Sequence, residues 1–371
     1  HPIHPTEREI LGRPCRPSVS EVPGSVDLAV IIVPATATPA VLEDCGSAGV
    51  RAVKIEGNPE HPINLGRLCP KGHIGLQILY DPDRIKGPMR RIGARGEGKW
   101  ERISWDQALD LVAKRLRDLR AKGGPHRLVV MGGRYRGQMH GLFARFMNAY
   151  GTPNDVGHSS ICADGSPQAH YLTQGFKAYA GYDWDNTNYL LCFGGGFIEA
   201  WRPTTRLLRA FGHMRRERPI RAKIVQVETR FSVTAAKADE WIPINPGTDA
   251  ALALGIAHVI VKEELYDPAF VAERTYGFED RVDDKTGKKH MGFKTLVLEQ
   301  YPPPRVAEIT GVSEPTIVRL AREFATTPPA IAAGERGASM QTNGVYNRMA
   351  IHALNALVGS LEVPGGVIVQ H

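Results

Sequence analysis

Cysteine is scarce in this chain: five among 371 residues, an odd number with no paired spacing. That excludes a disulfide scaffold. Neither C-x-x-C nor H-E-x-x-H occurs, so zinc sites of the usual spacing are excluded as well. There is no Walker A loop and no Ser-His-Asp pattern, which sets aside P-loop phosphate chemistry and triad hydrolysis. No apolar run reaches roughly 18 residues, so no segment is expected to insert directly into a membrane. The opening His1-Pro-Ile-His-Pro5 carries no Met, no basic stretch and no twin arginine. As written, that predicts a cytoplasmic chain without an export address. Concentrated charge is missing too. Lys and Arg number 46 against 39 Asp and Glu, a net +7, yet Arg90-Arg91 and Arg215-Arg216 are only doublets. So scattered a balance predicts no nucleic-acid partner, whereas a pyrophosphate-bearing ligand would use the same charges.

What is present reads as α/β. A 42% hydrophobic and 23% charged composition suits globular domains with real cores, and the length allows two or three of them. Ser25 to Pro34 is an apolar strand, Thr38 to Ala48 a helix opened by Thr38 and Pro39, and Val50 to Ile55 a second strand. This βαβ pattern over residues 1–52 implies parallel strands. Its pieces His4-Pro5, Leu11-Gly12, Pro17-Ser-Val19, Val26-Asp-Leu-Ala-Val30 and Val33-Pro-Ala35 resemble the CoA-binding domain of acyl-CoA synthetases. The glycine-rich nucleotide loop of that family has no counterpart here, which predicts little or no CoA binding. A generic βαβ unit has the same pattern.

Further on, Ser104 is the expected cap of a helix from Trp105 to Lys122, with Ala108, Leu109, Val112, Leu116 and Leu119 on one face. From Arg127 strands and helices alternate. Strands are expected at Leu128–Met131, Tyr189–Phe193, Ala222–Glu228, Glu240–Ile244 and after Pro328. One helix follows the Gly194 turn through Arg209, and another runs from Asp249 to Val261. Asp280 to Lys289 is a polar surface hairpin or loop. The alternation predicts Rossmann-like, mostly parallel sheets with helices on both faces.

Several motifs stand on this framework. The run Gly57-Asn-Pro-Glu-His-Pro62 leads to Gly66-Arg-Leu-Cys-Pro-Lys-Gly72. Cys162 sits in Gly157-His-Ser-Ser-Ile-Cys-Ala-Asp-Gly-Ser166. Glycine turns occur at Gly194-Gly195-Gly196 and Gly334-Glu-Arg-Gly337, and Glu228-Thr-Arg230 is followed by Pro246-Gly-Thr-Asp249. Together, in this order over residues 53–371, they resemble the molybdopterin oxidoreductases of the dimethyl-sulfoxide-reductase family. The resemblance divides the chain into a CoA-binding-like segment (1–52), a remnant of an iron–sulfur segment with its linker (53–105), and a molybdopterin-binding α/β region (106–371).

The resemblance implies a catalytic subunit of anaerobic respiration that carries out two-electron oxygen-atom or sulfur chemistry, nearest to thiosulfate and polysulfide reductases. Its cofactor would be Mo- or W-bis(molybdopterin guanine dinucleotide). Cys162 would be the metal's protein ligand, a soft anionic donor suited to Mo or W. Lys71 would lie between cluster and pterin, and Arg336 would hold a substrate oxygen. Gly194, Gly195, Gly196 and Glu199 would form one phosphate-binding turn, and Gly334 and Gly337 another. Glu228, Thr229 and Arg230 would meet the nucleotide, with Pro246, Gly247, Thr248 and Asp249 at the guanine edge. Arg134 and His158 would approach the second pterin and the metal loop. Cys69 would be one ligand of a 4Fe–4S cluster. Partners would be an iron–sulfur electron-transfer subunit and a membrane-anchor subunit, with a periplasmic location open for a full-length parent.

Two departures accompany the resemblance. Three further cluster cysteines have no counterpart, and one thiolate cannot hold four irons. The chain stops at His371, where the family continues. The expectation is that this polypeptide alone carries no cluster and little or no activity. The competing reading is a non-catalytic CoA- or nucleotide-binding module, or the product of fused gene fragments.

Overall fold

The computed structural model describes residues 1–10, 12–31, 33, 37–133, 135, 137–158, 162 and 164–369, without the side chains of Thr38, Ala52 and Leu76. The chain forms two compact units: residues 1–74 with 163–371, and residues 75–162. In the first stretch, strand β1 (Leu28–Ile31) pairs in parallel with β2 (Ala52–Ile55), and helix α1 (Thr38–Ser47) connects them. This is the expected βαβ unit, with a shorter first strand. Ala37 is the N-cap residue of this helix, so Thr38, expected to cap it, is its first residue instead. The Thr38 side chain and the motif residues Leu11, Pro34 and Ala35 lie outside the described set. A small core of Val19, Ile31 and Cys45 closes the unit. The Asp44 carboxylate anchors it by accepting from the Val19 amide at 2.5 Å and from the Ser20 hydroxyl. A one-turn helix, α2 (Pro70–His73), follows with Cys69 as its N-cap residue.

The 75–162 unit is built on α3 (Trp105–Ala121), the strand pair β3 (Val130–Met131) and β4 (Asp155–Val156), and α4 (Met139–Tyr150). A capping box opens α3: the Ser104 hydroxyl accepts from the Gln107 amide at 3.1 Å, and the Gln107 side chain accepts from the Ser104 amide at 2.9 Å. The apolar stripe of this helix is only partly covered. Ala108, Leu116 and Leu119 are half-buried, whereas Leu109 and Val112 are 62% and 60% exposed. The strands of this unit are two or three residues long, too short to cover a helix of 17 residues.

In residues 163–371, α5 (Gly165–Gln174) leads through β5 (Gly181–Tyr182) into a parallel four-stranded sheet. Its strands are β6 (Tyr189–Phe193), β7 (Lys223–Val227), β8 (Glu240–Ile242) and β11 (Ala330–Gly334), in spatial order β8-β7-β6-β11. Between β8 and β11 the hairpin β9 (Arg281–Val282) and β10 (Lys289–His290) occupies the polar 280–289 stretch, as expected. At the end of the chain β12 (Val367–Ile368) pairs antiparallel with β5. Side chains alternate across the sheet, as a period of two requires. Tyr189, Leu191 and Phe193 enter one core with Val225, Val227, Ala330 and Ala332. Leu190 and Cys192 enter the other with Ile224, Ile331 and Ala333.

Helices cover both faces. On the first lie α8 (Asp249–Lys262), α9 (Glu314–Thr326) and α11 (Gly344–Leu357). Twelve of the fourteen α8 residues are buried, so this helix is apolar on all sides and sits inside the layer. The second face is covered by α6 (Thr204–Arg216). This corrects the expected helix, which was to follow the Gly194 turn and end at Arg209. Pro203 lacks an amide hydrogen and serves as the N-cap residue, so the helix starts after it and continues through Arg216. Two short helices complete the frame: α7 (Val233–Lys237) after β7 and α10 (Arg336–Ser339) after β11.

Candidate cofactor site

The strand order fixes where a ligand can enter. From β6 the chain steps outward to β7 and β8, then returns to place β11 on the opposite side of β6. The order therefore reverses between β6 and β11, and crevices form outside the carboxyl ends of strands at such a point. Here the turn after β6 meets the turn after β11. Gly194 adopts φ +56°, its amide donates to the Val227 carbonyl at 2.9 Å, and its carbonyl accepts from the Gly337 amide at 3.0 Å. A methyl group on either Gly194 or Gly337 would lie 2.6 Å from the other's Cα. Only two glycines allow the turns to approach so closely.

Above this contact opens a cleft of about 440 Å³ lined by Gly194, Gly196, Glu228, Thr229, Arg230 and, across it, Pro246, Gly247 and Asp249. Arg336 and Gly337 complete the wall. The structure thus brings together ten of the residues that the sequence singled out. The Glu228 carboxylate is fixed at both oxygens, accepting from the Gln226 side-chain amide at 3.2 Å and facing the Arg230 Nε at 3.5 Å. Asp249 opens α8 and is only 5% exposed. Burial pushes its carboxyl up to about 6, opposed by its own backbone amide. Arg336 donates from Nη2 to the Ala200 carbonyl at 2.8 Å.

Three residues expected here act from outside the wall. The Gly195 position packs against the Trp201 ring, where a Cβ would sit 2.2 Å from a ring carbon. Glu199 accepts from the amide and hydroxyl of Thr234 and so holds the first turn of α7. The Thr248 hydroxyl donates to the Asn245 carbonyl at 2.7 Å.

A second cleft of about 420 Å³ adjoins the first, sharing Trp201 and Glu335 with it. Gly334 lies in its wall with Tyr182, Trp184 and Arg348. Ser166, His170 and Arg348 are almost wholly buried there, and Ser166 Oγ, His170 Nε2 and Arg348 Nε have no hydrogen-bond partner among the described residues. His170 Nδ1 donates to the Ala178 carbonyl at 2.8 Å. Burial and then the Arg348 charge push the ring down to about 4, so Nε2 is a bare acceptor at neutral pH. The His352 ring, 5.2 Å away, is pushed down to about 3, first by burial and then by His170.

The segment around Cys69 belongs to the same unit. Ile63 lines the second cleft, and the Asn64 side chain accepts from the Thr205 hydroxyl. Cys69 is half-buried and Lys71 exposed. The chain's free cysteines are Cys15, Cys45, Cys69, Cys162 and Cys192, and no group of three or more His, Cys, Asp or Glu among the described residues is placed to hold a metal ion. Cys162 and His158 are half-buried residues of the other unit, with residues 159–161 and 163 outside the described set. Arg134 also lies outside the described residues. Sequence reasoning missed Gln226, Trp201, Glu335 and Arg348. Gln226 alone left a signal, as the one polar residue within an otherwise apolar stretch of β7.

A family model described as molybdopterin oxidoreductase matches residues 84–370. The chain belongs to the molybdopterin oxidoreductases. A second model, described as a CoA binding domain, matches residues 1–63. Among curated molybdopterin proteins, the arsenate respiratory reductase molybdopterin-containing subunit of Shewanella sp. is 35% identical over 332 residues, which is 85% of this chain and 38% of that protein. The thiosulfate reductase molybdopterin-containing subunit of Salmonella typhimurium is 32% identical over 90% of this chain and 42% of its own length. The solved structure of acetylene hydratase from Pelobacter acetylenicus superposes with a TM-score of 0.65 at 32% identity, covering 83% of this chain and 40% of that one. The chain spans about two-fifths of the length of these relatives.

Proposed function

We propose that this chain is the nucleotide-holding part of a molybdopterin-dependent oxidoreductase catalytic subunit, and that the cleft at the strand-order reversal receives a guanine dinucleotide tail of the cofactor. The observation that carries this is the glycine contact between Gly194 and Gly337 with the buried Asp249 facing the same cleft. The two turns offer backbone to a pyrophosphate, and an ionised Asp249 is a double acceptor for the N–H groups of a guanine edge. The residues fit the rest of the group too. The bare acceptor of His170 and the buried donor of Arg348 lie between aromatic walls, which suits a planar pterin with donors and acceptors on its rim. Bound there, the cofactor would supply two-electron oxygen-atom or sulfur chemistry at its Mo or W. The residues of the two clefts would bind and orient it. The Cys162 thiolate keeps its assignment as the metal's protein donor on the strength of its motif, as a soft anionic ligand. Lys71 would tune the pterin side and Arg336 would hold an anionic oxygen.

A 4Fe–4S cluster does not fit the cysteines of this sequence. Cys69 belongs to no group of three or more potential metal ligands among the described residues, so no electron-transfer step is assigned to it. In the arsenate and thiosulfate reductases named above, the molybdopterin protein is one subunit. By analogy, an iron–sulfur subunit and a membrane-anchor subunit belong to the same proposal.

Calorimetric titration with GDP, ADP and CoA tests it. The expected result is binding of GDP in preference to ADP, lost in Asp249→Ala. Equal binding of ADP and GDP would remove the guanine assignment. Binding of CoA alone would favour the other reading, a CoA module, which the match over residues 1–63 and the parallel β1–β2 pair support.

A further inference from the structure

Every other residue of β7 except its first is apolar, yet Gln226 at its fourth position is 0% exposed. An amide buried without partners is costly, because it gives up its hydrogen bonds to water. Its oxygen Oε1 is in that state, with no partner among the described residues. Its nitrogen is fully used. Nε2 donates to the Gly195 carbonyl at 3.1 Å and to Glu228 Oε2 at 3.2 Å. Two acceptors on that side settle which end of the amide is nitrogen.

The Gly195 carbonyl gathers two other donors, one from the sheet and one from its own turn. Cys192 lies opposite Gln226 in the β6–β7 register, and its thiol sits 3.5 Å from the same oxygen. The Phe197 amide reaches that oxygen at 2.8 Å. In a planar trans peptide the C=O and the following N–H point in opposite directions. A Gly195 carbonyl drawn toward Gln226 and Cys192 turns the Gly196 amide away from them, and Gly196 lines the cleft.

We propose that Gln226 is a positioning residue for the nucleotide cleft: its side-chain amide holds the Gly195 carbonyl and the Glu228 carboxylate together, and so sets how both the glycine turn and that carboxylate face the ligand. The inference rests on the nucleotide reading above, with the phosphate–ribose portion of a guanine nucleotide as the ligand chemistry.

The test is GDP titration by calorimetry between pH 6 and 8, with the melting temperature recorded, for the wild type, Gln226→Met and Gln226→Glu. Gln226→Met keeps the shape and removes both donors, and GDP affinity is expected to fall about tenfold, the equivalent of about 1.4 kcal/mol. Gln226→Glu places a second carboxylate against Glu228. At pH 8 both are charged and the deficit relative to wild type is expected to be largest. At pH 6 the pair shares a proton, an O–H donor returns, and the deficit is expected to shrink several-fold, roughly as like-charged neighbours titrate. A residue that merely fills the core would show the cost of the buried charge in the melting temperature and leave the GDP deficit independent of pH, and that result overturns the proposal. So does wild-type affinity in Gln226→Met. If Gln226→Met does not fold, the pH trend of Gln226→Glu decides alone. Failure of the wild type to bind GDP would sink the nucleotide reading and this inference with it, whereas wild-type binding with pH-independent variants sinks this inference only.

Discussion

At the scale of single residues, Asp249 is placed for function at a cost to stability. Burial holds its carboxyl up at about 6 against an ordinary value of 3.8. The folded state therefore binds a proton more readily than the unfolded chain between about pH 4 and 6. Stability contributed by this group is present at the acid end of that window and is lost as pH rises through the folded value. Above pH 6 the buried charge opposes folding by up to about 3 kcal/mol, two pH units at roughly 1.4 kcal/mol each. Asp249→Asn is expected to raise the melting temperature of the free protein at pH 8 while weakening GDP binding. A variant that melts lower at pH 8, or binds GDP as well as wild type, contradicts the assignment. In the wild type, GDP affinity is expected to fall as pH drops below about 6, because the acceptor becomes protonated. Asp249 and Glu228 were legible in the sequence because each ends a recognisable strand-and-turn pattern. Gln226 was not, because the partner that explains it, the Gly195 carbonyl, lies in a turn 31 residues away.

At the scale of elements, the two glycine turns make opposite demands from the helices beside them. Gly337→Ala would press a methyl group against Gly194 backbone at 2.6 Å, and overpacking of this kind costs about 1–3 kcal/mol. Gly212, within α6, has open space where a methyl group would sit, with nothing within 4 Å. Gly212→Ala is expected to stabilise by up to about 1 kcal/mol through helix propensity. Denaturant unfolding of the two variants should move in opposite directions, and a loss in both would mean that the turn contact is not specific. The strands of the main sheet were legible because each is a short apolar run ending in glycine or an acidic turn. The start of α6 was hidden because the glycine turn looked like a direct helix entry, whereas the stretch 196–203, ending in Pro203, intervenes between Gly195 and Thr204. The stripe on α3 was read correctly as a pattern, but a pattern does not say what covers it, and Leu109 and Val112 remain exposed.

At the scale of the whole molecule, the main sheet and its helices are legible from alternation alone, and the family follows from motif order and is established by the match over residues 84–370. The fate of the iron–sulfur motif is a separate matter. Cys69 keeps its place after the Gly57–Pro62 turn without a set of thiolates around it among the described residues. Anaerobically purified chain is expected to hold well under one iron per polypeptide and to give no cluster EPR signal after reduction. Stoichiometric iron with such a signal would show that the cysteines assemble in a way this fold does not provide.

Trp201 stands in the wall of both clefts, while Trp184 lines only the second. Their rings lie 5.6 Å apart and nearly perpendicular, at 77°. At that separation the two indoles form an edge-to-face pair, each in the asymmetric field of the other. A ligand in the first cleft would perturb one member of the pair, and a ligand reaching the second would perturb both. The near-ultraviolet circular dichroism of this chain is thus a built-in gauge of how far along the groove an incoming molecule extends.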